Sequence, residues 1–248
     1  MARRKSLAFL DVGQGDCFAA DTKSGVIVFD GGSSSEDQVG RYRILPYMKY
    51  LGYQKIQIAV ISHMDVDHYS GIMELLEMGK IKYLGLPEIP KDEAMKKIIG
   101  IAKKRGTTIF YLSRGRKITT KDGSLKVLHP QKNSQMEKNA ASLVMQGKIL
   151  GYRVLLTGDV EKEGEEELLS EELERTDILK AAHHGSKNST SNEFLQKVQP
   201  KHTVISCGKQ NRYGHPHSET IHRLQTYHTK IYRTDQSGAI IFFKRRDG

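Results

Sequence analysis

Short runs rich in β-branched residues recur along this chain, and each breaks off into polar residues of the kind that bind ions or move protons. Residues 7–10 run into Asp11 and Asp16, 26–29 into Asp30-Gly31-Gly32, and 56–61 into Ser62-His63. Residues 152–156 run into Thr157-Gly158-Asp159, and 178–182 into His183-His184-Gly185-Ser186. β-branching with glycine punctuation marks these as strands leaving into loops. Helical periodicity lies between them, over 72–78, 93–104, 161–173, 192–198 and 218–226. Strands alternating with helices restrict the chain to a mixed α/β architecture, read as one domain over residues 1–248. The acidic stretch 161–174 carries Leu168, Leu169 and Leu173 on one side and reads as a solvated amphipathic helix.

Composition narrows the classes that remain. With 248 residues, 38% hydrophobic and 27% charged, the chain can bury a sizeable core and is not a disordered segment. Cys17 and Cys207 form no CxxC pair, which removes a disulfide framework and a zinc ribbon. No apolar stretch approaches the length of a membrane span. The basic start is followed too soon by Asp11, Gln14 and Asp16 to be a signal peptide. The expectation is a cytoplasmic protein; a domain cut from a longer membrane protein, or a lost export signal, would read alike. Lys and Arg number 39 against 29 Asp and Glu, and the resulting charge of +10 favours a polyanionic partner, nucleic acid first.

The densest chemistry is the run His63-Met64-Asp65-Val66-Asp67-His68, directly after a strand. A buried strand holds the start of such a loop, so His63, Asp65, Asp67 and His68 can be aimed at a common point. Imidazole and carboxylate together suit zinc, manganese or iron, and the donors exceed what one tetrahedral site needs, which points to two metals. The competing reading is a helix cap made by Asp67, and the density of ligand types outweighs it. Asp159, taken alone, reads as a turn-forming residue. Alternation at a strand end sends His183 and His184 in opposite directions, with His184 narrowly the better ligand and His183 orienting a ligand or touching substrate. A third cluster, Asn211-Arg212-Tyr213-Gly214-His215-Pro216-His217, is either functional or a surface loop with incidental histidines.

Taken in order, these segments resemble the metallo-β-lactamase superfamily of binuclear hydrolases. The similarity is nearer to the nuclease-like C-terminal domain of the ComEC competence DNA-uptake proteins. It is carried by residues 9–16, Leu45-Pro46-Tyr47, Ser62-His63 through His68, Val127-Leu128-His129-Pro130 and Asn139 with Ser142-Leu143-Val144. It continues through residues 155–159, 180–186, 211–217 and Tyr232-Arg233-Thr234-Asp235. The resemblance implies an αββα sandwich with metals at one edge between two sheets. It makes His63 and Asp65 ligands of a first metal, Asp67 and His68 ligands of a second, and Asp159 the bridge. It casts Asp11 and Asp30 as residues that brace the site. Many members carry His where this chain has Asp65 and again where it has Asn139, so harder metals such as Mn²⁺ are favoured over Zn²⁺. After the first motif Tyr69-Ser70-Gly71 replaces the usual Gly-Gly. No apolar run matches the channel that accompanies the domain in competence proteins, so a freestanding copy is expected.

The chemistry implied is metal-assisted hydrolysis of a phosphodiester. Asp67 is the first choice to orient and deprotonate water, and His184, His183 or His215 to protonate the leaving oxygen. The expected substrate is DNA before RNA, with single strands favoured. Lys244, Arg245 and Arg246, with the basic start, would extend the phosphate-binding surface. A small or cell-wall phosphodiester is the alternative substrate, and a non-catalytic nucleic-acid-binding relative the last reading.

Overall fold

Alternation explains how the strands stack. The computed structural model describes residues 4–136 and 138–244. One sheet contains β1 (Ser6–Phe9), β2 (Phe18–Thr22), β3 (Gly25–Phe29), β4 (Ile56–Val60), β5 (Ile81–Pro87) and β6 (Thr108–Leu112). The other contains β7 (Lys117–Thr120), β8 (Gly123–His129), β9 (Val144–Ile149), β10 (Tyr152–Leu156), β11 (Ile178–Lys180), β12 (His202–Ile205) and β13 (Lys230–Arg233). A last strand, β14 (Ile240–Phe243), returns to the first sheet beside β1, so each sheet has seven strands among the described residues.

On β1 and β3, Leu7, Phe9, Ile27 and Phe29 point at the second sheet and meet Val127, Met145, Val154 and Leu156. The intervening Ala8, Val26 and Val28 point the other way, under the helices α1 (Leu45–Tyr50), α2 (Val66–Glu77) and α3 (Glu93–Lys104). Residues buried on both faces are why these strands read as continuous apolar runs. The second sheet repeats the pattern, with Leu155 and Leu179 packed on α4 (Lys162–Leu169), α5 (Asn192–Val198) and α6 (Ser218–Thr226). A short α7 (Thr234–Ser237) joins β13 to β14. The result is the αββα sandwich, and each fully buried Leu, Ile or Phe stabilises it by roughly 1.5–3 kcal/mol. Among the described residues no helix is long and apolar enough to cross a membrane.

Two local expectations change. Helix α2 starts at Val66, inside the ligand run, instead of at residue 72, because its first turn is polar and shows no apolar period. Its N-cap is Asp65, whose side chain makes no capping bond, and Asp67 lies within the first turn. The acidic stretch is shorter than expected, ending at Leu169, and is not simply solvated. Glu165 is buried and its carboxylate accepts from Thr190 N at 2.7 Å and Ser191 N at 2.8 Å. A helical carboxylate thus closes the turn ahead of α5, something periodicity alone does not reveal.

Candidate metal centre

Strand direction brings the donors together. β1 and β3 are both antiparallel to β2, and β3 is parallel to β4, so all three leave the first sheet at the same edge. β10, β11 and β12 are parallel and leave the second sheet. The C-terminal ends of parallel strands are where open sheets commonly bind ligands. The loop after β1 supplies Asp16, the end of β3 supplies Asp30, and β4 leads through Ser62 into His63, Asp67 and His68. From the second sheet come Asp159, then Lys180 with His183 and His184, then the loop that carries His215.

Glycines let these loops touch. A Cβ at Gly15 would lie 2.2 Å from Gly32 O, and one at Gly32 would lie 2.5 Å from Val66 O. The close approach is fixed by Asp16 N donating to Asp67 O at 3.1 Å and Gly31 N donating to His68 O at 2.8 Å. On the other side His183 and His184 both take left-handed backbone, with φ of 47° and 51°. Two consecutive non-glycine residues in that region are strained, and such strain gathers at functional sites. Strand alternation therefore ends at Lys180, and the two histidines are aimed by the turn instead.

His68 Nδ1 donates to Asp30 Oδ2 at 3.0 Å, which leaves Nε2 facing Asp159 Oδ2 at 3.2 Å. His184 Nδ1 donates to the Ser206 carbonyl at 2.9 Å, and its Nε2 lies 3.3 Å from both Asp67 Oδ2 and Asp159 Oδ2. His63 Nδ1 is held by Ser62 Oγ at 3.0 Å. Asp30 also accepts from Ser62 N at 2.7 Å, so one buried carboxylate braces both histidines of the motif. Each imidazole is fastened at one nitrogen and presents the other, the arrangement that orients metal-ligating histidines.

The presented atoms have no hydrogen bonds of their own. His63 Nε2, His68 Nε2, His184 Nε2, Asp159 Oδ1 and Asp16 Oδ1 are buried and unsatisfied. Buried polar atoms are rarely orphaned, so five in one place call for an ion. The donors fall into overlapping sets whose ligand atoms lie within 4.8 Å: His63, His68 and Asp159; Asp67, His68 and His184; Asp16, Asp159 and His184; and Asp16, Asp30 and His68. Mixed imidazole and carboxylate donors of this kind fit divalent zinc, manganese or iron.

Charge is balanced by Lys180, buried and in contact with Asp16, with its Nζ 3.5 Å from Asp159 Oδ1. Burial pushes the Asp16 carboxyl up, but Lys180, His184 and His68 outweigh it and hold it at about 2. Burial likewise opposes charge on Asp159, and His184, His68 and Lys180 hold it well below the usual carboxylate range. Burial disfavours charged His68 and His184, yet the surrounding carboxylates raise both well above the usual imidazole value. Ligation of a metal must displace those protons.

The other expected residues are placed less centrally. Asp65 lies beside His63, its Oδ2 3.6 Å from Nε2, but its side chain is 45% exposed and it joins none of the compact donor sets. His183 donates from Nδ1 to Glu161 at 2.8 Å, with Nε2 3.9 Å from Asp159. The His215 ring packs 5.4 Å from His183 and 6.2 Å from His184, and burial with their charges lowers its pKa to about 4. Asn139 sits on a turn one step removed: its carbonyl accepts from Ser142 N at 3.0 Å, and Ser142 Oγ accepts from Asp159 N at 3.3 Å. Asp11 accepts from Gly13 N at 3.1 Å and shapes the first loop. Lys244 is at the wrong edge: β14 runs antiparallel to β1, so Lys244 follows Phe243, opposite Ser6, and its Nζ lies 3.6 Å from Asp122. Arg245 and Arg246 lie outside the described residues. Asp16 and Lys180 were not singled out by sequence reasoning; Asp16 shows only as one of several acids in a Gly-rich loop, and Lys180 as one polar residue in a strand.

A cleft of about 440 Å³ opens on this centre, walled by Asp67, Asp159 and His184 and by Arg212, Tyr213 and His215. Residues 10–209 match the family described as the Metallo-beta-lactamase superfamily. Over 96% of its length the chain is 36% identical to ComE operon protein 3 of Bacillus subtilis (strain 168), of which it covers 33%. It is 30% identical to Competence protein ComA of Neisseria gonorrhoeae over 96% of its length, covering 32% of that protein. The chain thus spans about a third of the length of these relatives. Among solved structures, the metallo-beta-lactamase fold protein YhfI from Bacillus subtilis superposes with a TM-score of 0.62 at 12% identity, over 95% of this chain and 99% of that one. By sequence over most of its length and by fold, the chain belongs to the metallo-β-lactamase superfamily and is a homologue of the ComEC-family competence proteins.

Proposed function

We propose that the chain is a binuclear metal-dependent phosphodiesterase that cuts DNA, single strands before duplex. The observation that carries this reading is the convergence of unsatisfied Nε2 and carboxylate atoms from His63, His68, His184, Asp159 and Asp16. His63, Asp67, His68, Asp159 and His184 would hold the ions, with Asp159 between the two groups, and Mn²⁺ or Zn²⁺ suits the donors. Divalent ions, when bound, supply Lewis acidity towards phosphate oxygens and lower the pKa of a water. Asp67 faces the cleft half-buried and is placed to orient that water and accept its proton. Asp30 and Ser206 fix the tautomers of His68 and His184, so neither ring turns away as charge shifts. His183 is oriented by Glu161, which accepts from its Nδ1, and is placed to protonate the leaving oxygen. A charge of +10 and relatives named for competence support a nucleic acid substrate.

The purified protein, loaded with Mn²⁺ or Zn²⁺, is to be incubated with single-stranded DNA, duplex DNA, RNA and a small chromogenic phosphodiester. Cleavage fastest on single-stranded DNA, abolished by chelation, is the expected result. Turnover of the small ester with no cleavage of any nucleic acid under either metal overturns the nuclease reading and promotes a small phosphodiester in its place.

A further inference from the structure

One wall of the cleft carries an exposed aromatic ring that the proposed hydrolysis does not use. Tyr213 is 43% exposed, yet it lines the same cleft as Asp67, Asp159 and His184. An isolated exposed tyrosine on a surface loop needs no explanation. This one is held as a platform. Its ring stacks on His215 at 5.7 Å between centroids and 22° between planes, and His215 in turn packs 6.2 Å from the candidate ligand His184. The Arg212 guanidinium lies 4.8 Å from the Tyr213 centroid and its Nη2 donates to the phenol oxygen at 2.6 Å.

The loop beneath is rigid. Asn211 Oδ1 accepts from His215 N at 3.0 Å, and its Nδ2 donates to the carbonyls of His215 at 2.6 Å and Gly208 at 2.9 Å. Gly208 N donates in turn to Gln14 Oε1 at 3.0 Å, which ties this loop to the one that carries Asp16. Among the described residues Arg212 has no carboxylate partner, although it lines the same cleft as Asp65, Asp67 and Asp159. A guanidinium with no carboxylate partner, lying over an aromatic ring, matches a nucleotide: a phosphate that draws Arg212 off the ring leaves that face to a base. A base in duplex has both faces covered by its neighbours, so a ring of this kind selects an unpaired one.

Resting on the nuclease reading, we propose that Tyr213 is a stacking face for an unpaired nucleobase next to the scissile phosphate, with Arg212 contacting that nucleotide's phosphate. The face gives a single strand a fixed register over the metals and is tolerant of sequence.

The test uses the metal-loaded protein and end-labelled oligodeoxynucleotides of one sequence in which a single abasic residue is moved stepwise across the cleavage position. At one register, loss of the base raises KM of the wild type between about 5-fold and about 150-fold, the range of base–aromatic stacking, with kcat little affected. In Tyr213→Ala that ratio collapses towards one, and Tyr213→Phe, which keeps the ring, retains most of it. Arg212→Ala reduces the salt slope of binding to a phosphorothioate strand by about 0.7. An equal abasic penalty in wild type and Tyr213→Ala, or no penalty at any register while strands are still cut, overturns the stacking assignment and leaves the nuclease reading standing. Absence of cleavage of any strand, with the small ester still turned over, removes both.

Discussion

Three donors of the first sheet, His63, Asp67 and His68, come as a block from one strand into one helix, whereas the second sheet delivers Asp159 and His184 from the ends of two strands and His215, beside them, from the loop after a third. In the block, spacing is set by local backbone, and Asp30 braces His68 directly and His63 through Ser62. In the dispersed half, spacing is set by the parallel register of β10, β11 and β12 and by a strained turn at His183 and His184. The difference teaches where each half is vulnerable. The block leans on a few named contacts from β1 and β3, Asp30 and the backbone bonds to Asp67 and His68, while the dispersed half depends on everything that holds three strands level.

Asp159 is the sharpest test, because it is the dispersed residue that both donor groups share. Asp159→Asn keeps the shape and removes the charge; activity should fall by at least about 1000-fold while circular dichroism stays native. A variant retaining more than a tenth of activity would show that the block alone suffices. Elemental analysis of saturated wild type should give two ions per chain, and well under one would remove the binuclear proposal.

The next largest effect concerns what joins the halves. Lys180 from the second sheet sits between Asp16 of the first and Asp159 of its own. Lys180→Met removes the buried lysine charge beside Asp16 and Asp159, leaving them only His68 and His184, and should destabilise chelated protein by about 3 kcal/mol in urea. Added Mn²⁺ should recover part of that loss, since bound ions supply the missing charge. Equal urea midpoints for variant and wild type in chelator would show that the halves are joined by other contacts.

Smaller effects separate members within the block. Asp65 stands outside the compact sets, so Asp65→His should move the ratio of Mn²⁺ to Zn²⁺ activity towards zinc by a few-fold only. No movement in that ratio would free the metal preference from Asp65. Least of all, Lys244→Ala should flatten the salt dependence of strand binding by less than Arg212→Ala, because Lys244 sits at the opposite edge beside Asp122. A slope change equal to that of Arg212→Ala would place the strand across both edges.

The same contrast explains what could be read from sequence. Four of the six residues from His63 to His68 are informative together because their donors are close in sequence, and the strand before them is visible in its β-branched run. Asp159 carries no such local signal, and only the ordered resemblance of many segments singles it out. Asp16 and Lys180 escape because their meaning is a contact, across 164 residues, between a loop acid and a strand lysine. The start of helix α2 is hidden for a related reason: its first turn is made of candidate ligands, which interrupt the apolar period that reveals a helix. Glu165, the one buried acid of its stretch, hides among acids that are exposed or pair near the surface, such as Glu161 with His183 and Glu167 with Arg114.

The bond between Gln14 and Gly208 has a consequence for how the chain is made. It closes a span of 194 residues, and without it the loop that carries Tyr213 and His215 is not anchored to the loop that carries Asp16. During synthesis the block from His63 to His68 emerges early, when the second sheet does not yet exist. A nascent chain can offer an ion only part of a cage, and long-range closure of this kind is slow compared with helix formation. An ion that needs donors from both sheets would therefore meet its full cage only in the finished sandwich.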